Sequence, residues 1–133
     1  MVRVALLLLT FVALVACKKD NNQNDTIFGK WKVEGFVADG SSISKTTEAN
    51  IYVTFNNNKS VDIQLDVNSC FSTFTIESSN ITIASLGCTE ACCDSEFSQE
   101  LAGLLSIVKT YHFTSGKLNL AGDDNLNIRL NKE

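Results

Sequence analysis

Strict alternation of apolar and polar residues constrains this chain more than any other feature of its sequence. The clearest example is the stretch SVDIQLDVN, whose apolar members occupy every second position: Val61, Ile63, Leu65 and Val67. A β-strand sends successive side chains to opposite faces, so this period predicts a strand with one face on a core and the other in water. Because parallel strands covered on both faces do not alternate in this way, the sheet is expected to be antiparallel.

Six more segments between Ile51 and Leu130 show the same alternation. They are NIYVTFN, FSTFTIE, NITIASL, KTYHFT, KLNLA and NLNIRL. Clusters of turn-forming residues separate them at positions 56–59, 78–80, 115–116 and 122–125. The sequence therefore predicts a mainly β domain of the α+β class, built as an antiparallel β-sheet or a partly closed barrel.

One segment, DSEFSQELAGLLSIV, has helical spacing instead and precedes the last three strands. Its apolar residues recur every three or four positions: Phe97, Leu101, Leu104, Leu105 and Val108. Asp94 or Ser95 can cap the first turn, which contains the acidic Glu96. This pattern predicts one amphipathic helix packed on the sheet, with an apolar stripe that fills the core rather than binding a partner.

The first sixteen residues form a separate unit with the layout of a secretory signal peptide. One basic residue, Arg3, is followed by a nearly uninterrupted apolar run over residues 4–15 and then by the small Ala16. A helix that spans a bilayer needs roughly 17–25 apolar residues, and this run is shorter and ends before three charged residues. We therefore expect it to be cleaved as a signal.

The end of this run, Leu14-Val15-Ala16-Cys17, resembles the lipobox of bacterial lipoproteins. The resemblance implies cleavage before Cys17 and a diacylglycerol on its thiol, usually with a third acyl chain on the new amino group. Each buried methylene contributes about 0.8 kcal/mol to membrane attachment, so two or more chains hold firmly. The implied location is the bacterial cell envelope, most simply the outer membrane, on its periplasmic or surface face.

These features divide the chain into a signal peptide (1–16), a lipidated cysteine with a polar tether (17–26) and a β-rich domain (27–133). The tether segment KKDNNQNDT has no large apolar residue and can reach roughly 30 Å. Its two lysines can attract anionic headgroups, by about 1 kcal/mol each. Loss of Arg3 with the signal leaves 10 basic and 15 acidic side chains, a net charge of −5 that argues against nucleic acid as a partner.

Several short motifs follow one another in a fixed order along the domain. They are Gly29 and Trp31 on the strand GKWKV, the segment VTFNNNKSV, Cys70, Thr89-Glu90-Ala91-Cys92, Leu104-Leu105 ahead of Tyr111, and Leu118-Asn119-Leu120. Together, over residues 28–130, they resemble the META/HslJ domain, a small β-rich domain common in bacterial envelope lipoproteins. The chain departs from that pattern at Phe71, where the family often has Asn, and in its extra cysteines. The resemblance implies an envelope or stress-related role without a defined ligand.

Lipidation of Cys17 leaves four cysteines as disulfide candidates: Cys70, Cys88, Cys92 and Cys93. Exported proteins meet oxidising conditions, which favour disulfides over metal binding or catalysis. Adjacent α-carbons lie about 3.8 Å apart whereas an unstrained bridge prefers about 4.4–6.8 Å, so a bond between neighbouring Cys92 and Cys93 is the poorest choice. The favoured pairing is Cys70 with Cys92 and Cys88 with Cys93. A four-cysteine zinc site is the alternative, and the direct adjacency of two cysteines argues against it.

Catalytic constellations are absent from the sequence. The single histidine, His112, alternates with apolar neighbours and is expected to face solvent, and the pair Asp123-Asp124 falls in a predicted turn. Phosphate loops, nucleophile elbows and metal-hydrolase motifs are missing. We therefore expect a non-enzymatic protein with no cofactor and no metal.

The functional expectation is a lipid-anchored envelope protein that binds or supports another envelope component. The Gly29-Lys30-Trp31 stretch also fits the Gly-x-Trp start of lipocalins, so the alternative is a lipocalin-like carrier of a small apolar ligand. Lipocalins complete their strands before a C-terminal helix, whereas three strands follow the helix here. A carrier needs an apolar cavity of several hundred Å³. A scaffold would fill that space with the largest inward side chains: Trp31, Phe55, Phe74, Leu101 and Leu105.

Overall fold

The computed structural model describes residues 25–42 and 44–133, so the predicted signal, Cys17 and most of the tether lie outside the described residues. Within them the chain forms ten strands and one helix. The strands are β1 (Gly29–Val37), β2 (Lys45–Thr46), β3 (Tyr52–Phe55), β4 (Ser60–Gln64), β5 (Ser69–Glu77), β6 (Asn80–Ile83), β7 (Gly87–Cys88), β8 (Thr110–Thr114), β9 (Lys117–Ala121) and β10 (Asn127–Lys132). The helix α1 (Glu96–Leu105) lies between β7 and β8. In this part of the chain no helix has the length and apolar character needed to cross a membrane.

The strands pair antiparallel and the sheet returns on itself. Their order is β10-β9-β8-β6-β5-β4-β3-β1-β2, with β7 beside β5, and β10 also pairs with β1. The closed sheet has its shortest strand pairing between β6 and β8. Among the described residues a single register pair, Asn80 opposite Thr110, joins these two strands. The antiparallel, partly closed sheet that the alternation predicts is thus confirmed.

The seam between β1 and β10 is held on both of its faces. On the inner face Val33 lies opposite Leu130, and both side chains are completely buried. On the outer face the carboxylate of Glu34 accepts hydrogen bonds from Lys117 Nζ at 2.7 and 2.9 Å and from Arg129 Nε at 3.1 Å. The Lys117 hydrogen bond is the main cause of the lowered pKa of Glu34. Because ion pairs at a surface contribute little, the apolar face carries most of the stability of the seam.

Strand β1 pairs with β10 along one edge and with two strands along the other. Its register against β10 shifts between Val33 and Gly35, which marks a bulge. Residues 29–32 pair with β3, whereas Gly35 and Phe36 pair with β2. A Cβ at Gly35 would lie 2.3 Å from the carbonyl oxygen of Lys45, so only glycine lets β2 approach this closely.

One hydrophobic core fills the interior of the closed sheet. The five side chains that the sequence assigns to it are all buried there: Trp31, Phe55, Phe74, Leu101 and Leu105. The rings of Phe55 and Phe74 meet edge to face with their centroids 5.0 Å apart, a favourable geometry for aromatic pairs. The interior is therefore occupied by side chains of the protein itself.

The predicted helix is confirmed, and its start matches the expected capping. Ser95 is the N-cap, its hydroxyl accepts a hydrogen bond from the backbone N–H of Ser98 at 3.2 Å, and Glu96 lies in the first turn. The helix ends at Leu105, so Val108, which has the helical spacing, packs into the core from the segment that follows.

The helix packs on the end of the sheet where β1 finishes. The Phe97 ring lies 4.8 Å from the Phe36 ring of β1. Two turns further, Leu104 lines one cleft with Ala38 and Leu126, which follow β1 and precede β10. The apolar stripe of the helix therefore faces the core, as its spacing predicts.

The stretch SVDIQLDVN forms a shorter strand than its alternation indicates. β4 ends at Gln64, and the Leu65 N–H donates to the Asn68 carbonyl at 2.9 Å to close a tight turn. Val67, expected in the core, is 51% exposed, whereas Asn68, expected in water, is 7% exposed. The turn reverses the faces because a period of two holds only while the backbone stays extended. Strands β2 and β7 were not predicted, since two residues are too few to show alternation.

Phe74→Ala should lower the free energy of unfolding by about 3–5 kcal/mol, because it removes a ring that is 1% exposed and leaves a cavity in the core. Phe71 lies on the outward face of the same strand, is 56% exposed and offers a matched control. Phe71→Ala should change the free energy by no more than about 0.5 kcal/mol. Equilibrium unfolding in urea measures both variants, and equal losses at the two positions would contradict the assignment of faces.

Candidate functional site

The four cysteines of the described domain form two disulfides. Cys70 bonds to Cys88 with their α-carbons 4.0 Å apart, and Cys92 bonds to Cys93 with theirs 3.7 Å apart. Cys70 lies in the core, whereas the other three are exposed. All four candidates from the sequence are therefore gathered at one place, beside the start of β5.

The observed pairing differs from the favoured one, which joined Cys70 with Cys92 and Cys88 with Cys93. The reason is the pairing of β5 with β7, which sets Cys70 directly opposite Cys88. Cys92 and Cys93 then have only each other as partners among the described residues, so the bond that looked poorest from the sequence is the one that forms. The register of the two-residue strand β7 therefore determines the disulfide pairing. No sequence pattern predicts that register.

The segment from β7 to the helix cap, residues 87–95, is called here the cysteine loop, and Asn68 holds it in place. Asn68 Oδ1 accepts hydrogen bonds from Thr89 Oγ1 and from the Ala91 N–H, both at 2.8 Å. Asn68 Nδ2 donates to the Ala91 carbonyl at 2.8 Å and to Asp94 Oδ2 at 2.6 Å. This buried amide thus uses its whole hydrogen-bonding capacity on the loop.

Asp94, in the cysteine loop, binds the turn that precedes β5. Its Oδ1 accepts hydrogen bonds from the backbone N–H groups of Val67 at 3.0 Å and Asn68 at 2.9 Å. Asn68 and Asp94 together form a reciprocal clamp between the turn at residues 65–68 and the cysteine loop.

Asp66, in the same turn, binds the start of the helix. Its Oδ2 accepts a hydrogen bond from the Ser95 N–H at 3.0 Å, where the helix dipole favours negative charge. The buried Ser98 hydroxyl also faces this carboxylate, although its contact falls outside strict hydrogen-bond geometry. The Ser98 hydroxyl first, and then the Ser95 N–H, lower the pKa of Asp66 to about 2.

Sequence reasoning missed the roles of Asp66 and Asn68, because both occupy outward positions in an alternating stretch. The available signal was the tripeptide Asp66-Val67-Asn68, whose Asp and Asn side chains favour turns. Asp94 was recognised as a possible helix cap, but Ser95 takes that position and Asp94 serves the clamp. Partners 26 residues apart have no local signature.

Two large apolar side chains lie exposed beside the cysteine loop. Val67 follows Asp66 in the clamped turn, and the Phe71 ring lies over Gly87 at the start of β7. Exposed apolar side chains that cluster at one place are a feature of contact surfaces. We call Val67, Phe71 and the exposed Cys92–Cys93 disulfide the loop surface.

The other polar residues that the sequence singled out lie apart from this site. His112 is exposed on β8, as predicted. Asp123 forms a salt bridge with Lys109, and Asp124 has a positive φ in the turn between β9 and β10. Over residues 25–42 and 44–133, no three His, Cys, Asp or Glu side chains are placed to hold a metal ion.

A partly closed antiparallel sheet, one helix inserted before the last three strands and a clamped cysteine loop define a small β-rich domain. The family model of the META domain matches residues 24–133. The chain therefore belongs to the META domain family, which confirms the resemblance seen in its motifs.

Solved structures show the same fold at low sequence identity. A protein from Burkholderia xenovorans solved by NMR is 11% identical and superposes with a TM-score of 0.65, over 79% of this chain and 81% of its own. A DUF4847 family protein from Bacteroides vulgatus is 13% identical with a TM-score of 0.60, over 79% of this chain and 92% of its own. No curated protein matches the chain. At these identities the similarity establishes the fold alone.

The disulfide pairing can be read from a digest with a protease that cleaves after glutamate, because Glu77, Glu90 and Glu96 separate the cysteines. Without reduction, the peptide 49–77 should be joined to 78–90 through Cys70 and Cys88. The peptide 91–96 should be released alone, two hydrogen masses lighter than its dithiol form. Mass spectrometry distinguishes this from the pairing favoured by the sequence, in which all three peptides would stay joined.

Acid should remove the contribution of Asp66 to stability. Its pKa falls from 3.8 to about 2 on folding, so the ionised carboxylate stabilises the folded state above pH 3.8 and loses this effect as the pH falls toward 2. The loss in free energy of unfolding caused by Asp66→Asn should therefore be largest near neutral pH and shrink through this window. Urea titrations at several pH values measure it. Glu77→Gln, at an exposed carboxylate at the end of β5, is the control, and an unchanging gap for Asp66→Asn would count against this role.

Proposed function

We propose that this protein is a non-enzymatic, lipid-anchored component of the bacterial cell envelope, held in the outer membrane, whose META domain binds or supports another envelope component. The observation that carries the proposal is the filled interior of the closed sheet. The lipobox-like end of the apolar leader supplies the anchor, and the loop surface supplies a candidate contact area.

The core supports a scaffold rather than a carrier. Trp31, Phe55 and Phe74 occupy the interior together with the leucines of the helix. Clefts of about 520 and 530 Å³ open to solvent at the surface instead of lying among the strands. The first is lined largely by polar side chains of the loop after β1 and of β10, whereas the second includes several apolar side chains, among them Leu104, Ile107 and Leu126. Both clefts are open to solvent, so a ligand there would stay partly in water, whereas a carrier encloses most of its ligand.

The anchor is supported by the leader sequence and by the position of the domain. The apolar run ends in Leu14-Val15-Ala16-Cys17, and the family match begins at residue 24. Only a short polar segment therefore separates the lipid from the domain. Two acyl chains on Cys17 would hold such a protein at a bilayer without a spanning helix.

The rigid presentation of the loop surface supports a binding role. Val67 and Phe71 are held out by backbone that the clamp and the Cys70–Cys88 disulfide fix on both sides. Preorganised apolar side chains lose little conformational entropy when a partner covers them. Envelope proteins that act as scaffolds need surfaces of this kind.

Lipidation is tested by growing cells that express the protein with a fatty acid carrying a chemical handle. The wild-type protein should incorporate the label and sediment with membranes, and Cys17→Ser should lose the label. A Cys92→Ser, Cys93→Ser double variant removes cysteines from the domain and should keep it. Equal labelling of the Cys17→Ser chain would sink the proposed anchor.

The scaffold role is separated from the carrier alternative by native mass spectrometry of the lipidated protein released in detergent. The expected mass is that of the processed chain with its acyl groups and two disulfides. A copurifying apolar molecule, lost on unfolding, would replace the scaffold with a lipocalin-like carrier.

A further inference from the structure

The basic residues of the domain fall into two groups with different surroundings. The chain has 11 of them, and three precede residue 25. Four others form salt bridges with carboxylates: Lys45, Lys109, Lys117 and Arg129. The last four have no carboxylate partner in the part of the chain that the structure describes, and we call them the basic collar: Lys30, Lys32, Lys59 and Lys132.

The basic collar surrounds the point where the chain passes into β1. Lys132 Nζ donates a hydrogen bond to the Phe28 carbonyl at 2.7 Å and lies 4.4 Å from the centre of the Trp31 ring. Lys59 Nζ, from the turn between β3 and β4, lies 4.7 Å from the centre of the Phe28 ring. Cation–π contacts of this kind hold an ammonium group in place while it stays in solvent.

The other two lysines extend the collar along the outer face of β1. Lys30 Nζ lies 3.8 Å from the centre of the Tyr52 ring, and Lys32 Nζ donates to Asn50 Oδ1 at 3.1 Å. The acidic neighbours on this face are Glu133, whose carboxylate accepts a hydrogen bond from the Tyr52 hydroxyl at 3.5 Å, Asp62 in the cleft beside Lys30, and Glu34 and Glu48 in the cleft beside Lys32. Asp62 accepts a hydrogen bond from Asn56, and Glu34 binds Lys117 and Arg129 instead of the collar.

The charge at the other end of β1 has the opposite sign. Nine residues of strand place that end about 26 Å away. Asp39 follows β1 there, and the Gly40 N–H donates to the carbonyl of Asp124 at 2.7 Å, which brings Asp123 and Asp124 alongside. A domain with a net negative charge thus has a positive end, and that end is where its N-terminus leaves.

We propose that the basic collar is a docking surface for the anionic lipid headgroups of the membrane in which the protein is anchored. The proposal rests on lipidation of Cys17. The chain from Cys17 to Asp25 spans at most about 29 Å and leads to the collar, so the collar is the face of the domain that reaches the membrane first. The acidic end is repelled by the same headgroups. The domain therefore stands with β1 pointing away from the bilayer.

The attraction between the lysines and the anionic headgroups is strong enough to orient the domain. A lysine near an anionic surface strengthens attachment by about fivefold, and Lys18 and Lys19 of the tether add to the four of the collar. Because the anchor already holds the domain at the surface, these contacts act on orientation and do not have to overcome the entropy of association.

Lysine acetylation on vesicles tests the orientation. The lipidated protein is bound to vesicles of phosphatidylcholine alone or of phosphatidylcholine with phosphatidylglycerol, and the acetylation rate of each lysine is measured by mass spectrometry. On the anionic vesicles Lys30, Lys59 and Lys132 should react about fivefold more slowly than on neutral ones. Lys45 and Lys109, at the acidic end, should not change. The protection should disappear near 1 M salt, where the Debye length is about 3 Å.

A pair of double variants with the same net charge provides the matched control. Lys30→Gln with Lys59→Gln should remove the protection of Lys132, whereas Lys45→Gln with Lys109→Gln should leave it intact. The first measurement uses the unaltered protein. A folding defect in a variant therefore leaves the comparison between the two kinds of vesicle valid.

Vesicle flotation keeps this inference distinct from the proposed anchor. Protein that floats with both kinds of vesicle but shows equal acetylation of the collar on each overturns the docking surface and leaves the anchor intact. Protein that floats only with anionic vesicles overturns the anchor, and with it the docking surface as proposed here. Protein that floats with neither overturns both.

Discussion

Closure of the sheet by the pairing of β1 with β10 is the constraint on which the rest of this structure depends. The first and last strands of the domain meet along this seam, so the core is enclosed only when the whole chain has folded. Closure also removes two edges that would otherwise present unpaired backbone groups. The buried apolar pair Val33 and Leu130 stabilises the seam. Glu34 joins three strands across the outer face, but surface ion pairs of this kind contribute little to the free energy of unfolding. Contacts between residues about a hundred positions apart are slow to form, so this closure is expected late in folding.

The turn at residues 65–68 is the second organising element, and it connects the sheet to the features that distinguish this chain. Asn68 and Asp94 clamp the cysteine loop, while Asp66 binds the start of α1. The Cys70–Cys88 disulfide ties the same loop to the core strand β5. Together these links give Val67 and Phe71 fixed positions in solvent, which is the condition for a preformed contact surface.

The two proposed contact areas adjoin on the outer face of the sheet. The basic collar lies where the tether arrives, and the loop surface lies at the turn between β4 and β5. Lys30 of the collar and Phe71 of the loop surface line one cleft, together with Asp62. A filled interior agrees with this placement, because all recognition then takes place on the outside of the sheet.

The sequence by itself determined the features that depend on neighbouring residues. Period-two alternation located seven strands, helical spacing with Asp94 or Ser95 as cap located α1, and the motif order from Gly29 to Leu120 indicated β1 and the META family. Only the tertiary structure decided which distant residues meet. The partner of Cys70, the burial of Asn68 and the meeting of Lys59 and Lys132 at Phe28 all follow from strand register and sheet closure. A one-residue change of register would reverse each of them while leaving every local pattern intact, which is the physical reason that the sequence alone could not supply them.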